Sequence, residues 1–153
     1  MTLRYVVDCG VVVKWFLPEA DSDRALLLHD ALTSGVSELL APDLLPIEFA
    51  NVLWKRRNEL DGSTSDEVIH DLLDLDLRIS PSHNLLPAAL AIARLHSCTV
   101  YDSLYLALAE ANSIDLITAD VQLYNAVKER LSFVRLLAEF ALPLPPVESP
   151  AER

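Results

Sequence analysis

Basic residues are scarce in this chain. Twelve Lys and Arg stand against 23 Asp and Glu, for a net charge of −11 over 153 residues. Polyanions are normally bound by Lys and Arg, so the deficit leaves two readings open. Either the substrate is not a polyanion, or the carboxylates recruit a divalent metal that then meets the phosphate. Either way a basic partner is strongly attracted. Long apolar runs are missing as well: none approaches the ~20 residues needed to span a bilayer. The N-terminus lacks a charged segment leading into an apolar stretch and a small-residue cleavage site. No secretory signal is expected, and the default location is cytoplasmic. Cysteines number two. Cys9 and Cys98 have no CxxC or zinc-type spacing and read as reduced thiols.

What is present suits one domain with a full core. Apolar residues make up 52% of the chain, well above the level of a disordered segment. Leu3-Arg4-Tyr5-Val6-Val7-Asp8 is a short apolar run ending on a carboxylate. Its β-branched and aromatic residues predict a buried strand. Asp8 cannot serve as core filler, because an unpaired buried carboxylate is very costly. In open α/β sheets the C-terminal strand ends face the ligand crevice, and that is where Asp8 falls.

Helices and strands then alternate. A short helix over Val11–Leu17 stops at Pro18, and a second runs over about Asp23–Ser34, capped by Asp21 or Ser22 and closed by Gly35. Glu38–Ala41 predicts a second strand. A long helix over Leu44–Leu60 carries Glu48, Asn51, Val52 and Lys55 on one face. That face either lines a polar cleft or is simply solvated, the commoner state for charged residues. Thr64 and Glu67 have capping-box spacing for an acidic helix over Ser65–Leu75, whose charge run reads as a solvated face. Leu77–Ser80 predicts a third strand, followed by a Pro81–Asn84 loop and a helix over Leu85–His96 with Pro87 in its first turn.

A strong helix follows over Val100–Ala111. Asp102 lies in its first turn, where the helix dipole favours the ionised form. Tyr101 and Tyr105 read as packing residues. Asp115–Thr118 predicts a fourth strand, with Asp120 just beyond its end. Asp120 reads as the N-cap of a helix over Val121–Arg130, a role compatible with metal binding because a carboxylate has two oxygens. Ser132–Leu136 completes the set. Residues 1–140 form one α/β domain, with a mostly parallel sheet of four to five strands covered by helices on both faces. Residues 141–153, which hold four of the nine prolines, read as a mobile tail.

In this architecture Asp8 and Asp120 reach the same sheet edge, and Asp102 and Glu48 lie on helices able to meet them. Four carboxylates together raise one another's pKa and destabilise the fold. Mg²⁺ or Mn²⁺ relieves that, since oxygen ligands suit hard cations. An ion so held lowers the pKa of water and stabilises phosphoryl charge. Metal-dependent phosphodiester hydrolysis is the natural use.

Four blocks also carry a resemblance. They are Asp8-Cys9-Gly10-Val11-Val12-Val13-Lys14-Trp15-Phe16-Leu17-Pro18-Glu19, Glu48-Phe49-Ala50-Asn51-Val52-Leu53, Tyr101-Asp102-Ser103-Leu104-Tyr105-Leu106-Ala107-Leu108-Ala109 and Thr118-Ala119-Asp120. In this order they resemble the conserved blocks of PIN-domain ribonucleases, VapC toxins of type II toxin–antitoxin modules above all. The resemblance spans about Tyr5 to Phe140. It implies a PIN-like three-layer fold and a Mg²⁺- or Mn²⁺-dependent endoribonuclease, often a homodimer, inhibited by a cognate VapB-like antitoxin. Asp8 and Asp102 are then the principal metal ligands, and Glu48 and Asp120 complete the acidic set, partly through water. Thr118 hydrogen-bonds within the site, Asn51 is a weaker candidate, and Lys14 and Lys55 steer phosphate. Water attacks phosphorus in line while a carboxylate takes its proton, leaving a 5′-phosphate and a 3′-hydroxyl on the RNA.

One position departs from the pattern. Family members often carry Ser or Thr two residues after the first Asp, where this chain has Gly10. The missing hydroxyl keeps a second reading open, a PIN-fold module that binds a partner or RNA without cutting it. A third is a hydrolase of small phosphorylated substrates. The resemblance further implies an antitoxin helix laid in a groove, pushing a basic C-terminal side chain toward the acids. The expected groove lies between the acidic helix after Thr64, at Leu72, and the apolar stripe after Ser22, at Leu26.

Overall fold

The structure is a computed structural model in which residues 2–143 are described. Residues 144–153, most of the predicted Pro-rich tail, lie outside the described residues. The elements follow in the order β1 (Leu3–Val7), α1 (Cys9–Phe16), α2 (Ser22–Thr33), β2 (Ser37–Pro42), α3 (Leu44–Lys55), α4 (Gly62–Asp74) and β3 (Arg78–Ser80). Then come α5 (Leu86–His96), α6 (Val100–Asn112), β4 (Asp115–Thr118), α7 (Val121–Val127) and β5 (Val134–Leu136).

The five strands form one sheet in the order β3-β2-β1-β4-β5, with every pairing parallel. Val6 at the centre pairs with Leu40 on one side and Leu116 on the other. Successive residues Val6 and Val7, and Leu116 and Ile117, are fully buried. Both faces of the central strands are therefore covered, which is why Tyr5-Val6-Val7 and Leu116-Ile117 are apolar without alternation. Parallel strands need crossover connections, and these are right-handed. From β1 the chain steps through β2 to β3 in one direction, then crosses back to β4 and on to β5. The connections α1–α4 and α5–α7 consequently take opposite faces. The reversal falls between β1 and β4, and ligands of open α/β sheets bind at that point.

Several local expectations are corrected. Helix α1 begins at Cys9, two residues before Val11, because Asp8 caps it. Helix α3 stops at Lys55 rather than Leu60, and the amides of Glu59 and Leu60 both turn back to the Arg56 carbonyl. The cap of α4 is Asp61, whose carboxylate accepts the Thr64 amide at 2.7 Å, so Thr64 sits inside the helix and forms no capping box with Glu67. The Pro81–Asn84 loop runs into a single 3-10 turn over His83–Leu85 before α5 starts. Helix α7 ends at Val127, short of Arg130. Both cysteines are free thiols. Among the described residues no helix is long and apolar enough to cross a membrane.

Candidate active site

The two strands at the reversal end on equivalent residues. Asp8 follows β1, adopts an extended backbone and accepts the Val11 amide on Oδ1 at 3.0 Å, so it is the N-cap of α1. Asp120 lies just past β4 and accepts the Leu123 amide at 3.1 Å as the N-cap of α7. Thr118 joins them. Its hydroxyl donates to Asp8 Oδ2 and accepts the Asp120 amide at 3.0 Å. The Ala119 amide adds a longer contact to Asp8 Oδ2 at 3.3 Å.

The other two acids come from helices on opposite faces of the sheet. Asp102 lies in the first turn of α6, where the Thr99 hydroxyl caps the helix by accepting the Asp102 amide at 3.1 Å. Glu48 lies on α3 and accepts the Tyr105 hydroxyl on Oε1 at 2.6 Å. Asp8, Glu48, Asp102 and Asp120 together line a single cavity of about 340 Å³. All four acids singled out from the sequence are thus brought to one place.

The electrostatics record that crowding. Burial pushes the Asp8 carboxyl up to about 6, outweighing its hydrogen bonds from Thr118, Val11 and Ala119, and the charge of Asp120 adds to the rise. Glu48 and Asp102 are both raised, chiefly by burial. Asp102 adds charge repulsion at Glu48, and Asp120 adds it at Asp102. Cys9, beside them, is pushed up to about 12 by burial and by Glu48 and Asp8, and so stays a neutral thiol. Among the described residues no Lys or Arg is paired with Asp8, Glu48, Asp102 or Asp120.

The donor set suits a hard divalent cation: it is all oxygen, it lines one cavity, and none of its four acids is ion-paired among the described residues. Among the described residues no three His, Cys, Asp or Glu are drawn close enough to hold an ion by themselves. Mg²⁺ commonly takes one or two carboxylates directly and keeps several waters.

The remaining expected residues divide. Thr118 hydrogen-bonds inside the site, as expected. Lys14 lines the cavity, but its ammonium is held by the Ala20 carbonyl at 2.7 Å and Glu19 Oε2 at 3.3 Å. Asn51 and Lys55 miss the acidic cavity and line its neighbour, so the Glu48–Lys55 stripe does face a cleft. Gly10 lines the site, and a β-carbon there would lie 3.2 Å from Ala119 Cβ, so glycine lets α1 approach the β4–α7 connection closely. The expected α4–α2 groove is not formed as drawn, because Leu72 is buried in the core and offers no docking floor. An apolar cleft lies between α3 and α4 instead, with Leu53, Trp54, Leu60 and Ile69 in its lining.

Tyr105 is the site residue that sequence reasoning missed. Its ring is buried, as a packing residue's should be, but its hydroxyl holds Glu48. The available signal was its place three residues after Asp102, which puts both on one side of α6.

Fold and site define an α/β domain with a carboxylate-lined crevice at its switch point. Residues 5–129 match the PIN domain model. The chain is 34% identical over 125 residues to ribonuclease VapC3 of Pyrobaculum aerophilum, covering 79% of this chain and 92% of that protein. Its fold is similar to that of PAE2754 from Pyrobaculum aerophilum, with a TM-score of 0.65 at 21% identity over 90% of this chain and 93% of the other. A toxin–antitoxin complex from Klebsiella pneumoniae contains a chain of similar fold, with a TM-score of 0.58 at 13% identity over 89% of this chain and 99% of that one. The chain belongs to the PIN-domain family, in its VapC ribonuclease group.

Proposed function

We propose that this chain is a Mg²⁺- or Mn²⁺-dependent endoribonuclease that hydrolyses RNA phosphodiester bonds and serves as the toxin of a VapBC-type pair. The observation that carries the reading is the convergence of Asp8, Glu48, Asp102 and Asp120 on one cavity, where none of them forms an ion pair among the described residues and the one lining cation, Lys14, is held by Glu19. A bound divalent cation supplies charge neutralisation for these acids and for the phosphate, and lowers the pKa of water.

The chain's own residues do the rest. Asp8 is fixed by three donors, so its carboxylate is oriented before anything binds. Asp120 spends one oxygen on its helix cap and keeps the other for the cavity. Tyr105 holds one oxygen of Glu48, leaving the second free to take a proton or bind through water. Half-buried Asp102 closes the opposite side. The VapC3 relative is named a ribonuclease, which supports the same chemistry here.

The −11 charge supports a basic partner. In this reading the partner is a VapB-like antitoxin whose basic C-terminal segment meets the acids while its helix occupies an apolar cleft, and the toxin itself is a homodimer acting in the cytoplasm. Gly10 favours the alternative of a PIN-fold binding module that does not cut. The two separate in one experiment. Purified protein is incubated with a labelled RNA pool in Mg²⁺, in Mn²⁺ and in EDTA, beside Asp8→Asn and Asp102→Asn. Cleavage that needs metal and is lost in both variants supports the enzyme. RNA or antitoxin binding without turnover supports the binding module.

A further inference from the structure

The acidic crevice does not end at Glu48. A second cavity of about 370 Å³ opens beside it and shares Cys9, Gly10, Glu19 and Glu48 with it. Its lining continues along α3 through Asn51 and Lys55 to Arg56. Lys55, Arg56 and Arg57 are the only three consecutive basic residues in a chain of net charge −11. The helix dipole accounts for cations at the end of α3. It does not account for two of them lining a cavity continuous with the acids.

The cations near this wall differ in how they are held. Lys14 Nζ lies 3.3 Å from Glu19 Oε2, and Arg56 pairs with the other oxygen of the same carboxylate. Two cations thus share one anion, and Lys55 forms no ion pair among the described residues. The second cavity's own lining sets Lys55 and Arg56 against Glu19 and Glu48, so a wall of balanced charge, with Lys55 left unpaired among the described residues, adjoins a crevice with excess negative charge. The acids need a cation before they can meet phosphate, whereas Lys55, unpaired among the described residues, can meet phosphate directly. The cavity volume suits one nucleotide-sized group.

We propose that this second cavity binds the phosphate next to the scissile one, and so seats single-stranded RNA along α3, from the acids past Asn51 to Lys55 and Arg56. The proposal rests on the ribonuclease reading and adds to it the path of the substrate. Phosphate contacts of this kind fix register and strengthen binding without reading sequence. Arg94 and Arg130 line neither cavity and lie off the path.

The test is single-turnover cleavage of an end-labelled ten-nucleotide RNA in saturating Mg²⁺, over a range of protein and KCl concentrations. Wild type is compared with Lys55→Ala, with Lys55→Ala/Arg56→Ala and with Arg130→Ala. The half-saturating protein concentration should rise about tenfold in the double variant, and the logarithmic salt slope should fall by about 0.7 per cation removed. Arg130→Ala should change neither. Exposed Lys55 keeps the test open even if loss of the Arg56–Glu19 pair loosens the fold. Wild-type half-saturation and salt slope in both variants, with wild type cutting normally, would overturn the path and leave the ribonuclease reading standing. Failure of wild type to cut any RNA would remove that reading and the path with it. A polyglutamate peptide competing as well as RNA of equal charge would show that the wall takes acidic protein, and would also overturn the proposal.

Discussion

Asp8 and Asp120 are joined through one hydroxyl: Thr118 donates to the first and accepts the backbone amide of the second. Neighbouring parallel strands end there, and each acid caps the helix that follows it. Both acids therefore sit where a strand ends and a helix begins.

Asp8 ties stability to pH. Its carboxyl is raised from 3.8 to about 6 in the folded chain. The folded state therefore holds this proton more tightly than the unfolded state does. Stability falls as pH rises through the window between those values, and the cost, about 3 kcal/mol at most, is complete above it. In EDTA, wild type should melt at a higher temperature at pH 5 than at pH 7.5. Asp8→Asn should melt above wild type at pH 7.5 and lose most of this pH dependence. A calorimetric scan of both proteins at the two pH values checks it.

Thr118→Val keeps the shape of a fully buried side chain and removes its hydroxyl. The Asp120 amide then loses its acceptor and Asp8 loses a donor. A loss of about 1–3 kcal/mol in urea unfolding is expected. Asp8 should titrate higher still, because the Thr118 hydrogen bond now lowers it. Carboxyl-carbon NMR of Asp8 in the variant reads that shift directly.

Tyr105→Phe keeps the buried ring and frees Glu48. Cleavage should drop roughly tenfold, the worth of one hydrogen bond to a charged group near 1.5 kcal/mol. The thermal midpoint should move little, since the ring stays packed. Measured rate and melting together separate this from a general loss of structure.

Gly10 can be tested by a pair of variants. Both Gly10→Ala and Gly10→Ser place a β-carbon 3.2 Å from Ala119 Cβ, so both require the same small retreat of α1. Helix propensity offsets that crowding by about 1 kcal/mol, and the two should be nearly equal in stability. Cleavage faster in Gly10→Ser than in Gly10→Ala would show that the hydroxyl missing from this chain contributes to the reaction.

Much of this was legible in the residues. Val6-Val7-Asp8 and Ile117-Thr118-Ala119-Asp120 announce buried strands that run into acids, because strands covered on both faces must be apolar until they leave the sheet. The acidic set needed only the topology to bring it together. What stayed hidden depends on distances between remote segments. Tyr105 reads as packing until α3 places Glu48 against its hydroxyl. Lys14 reads as a free cation until Glu19 folds back onto it. Leu72 reads as one side of an amphipathic helix, and its pattern alone cannot say whether core or partner covers it. Thr64 and Glu67 have the spacing of a capping box, yet Asp61 caps the helix and Thr64 lies within it, which the pattern alone does not show.

In the proposed function these carboxylates share a divalent cation. Calorimetric titration of Mn²⁺ into metal-free wild-type protein and into the Asp8→Asn/Asp102→Asn double variant tests it without reference to any activity. Saturable binding by wild type, weakened at least tenfold in the double variant, is expected. Equal binding by both proteins, or none by either, would contradict it.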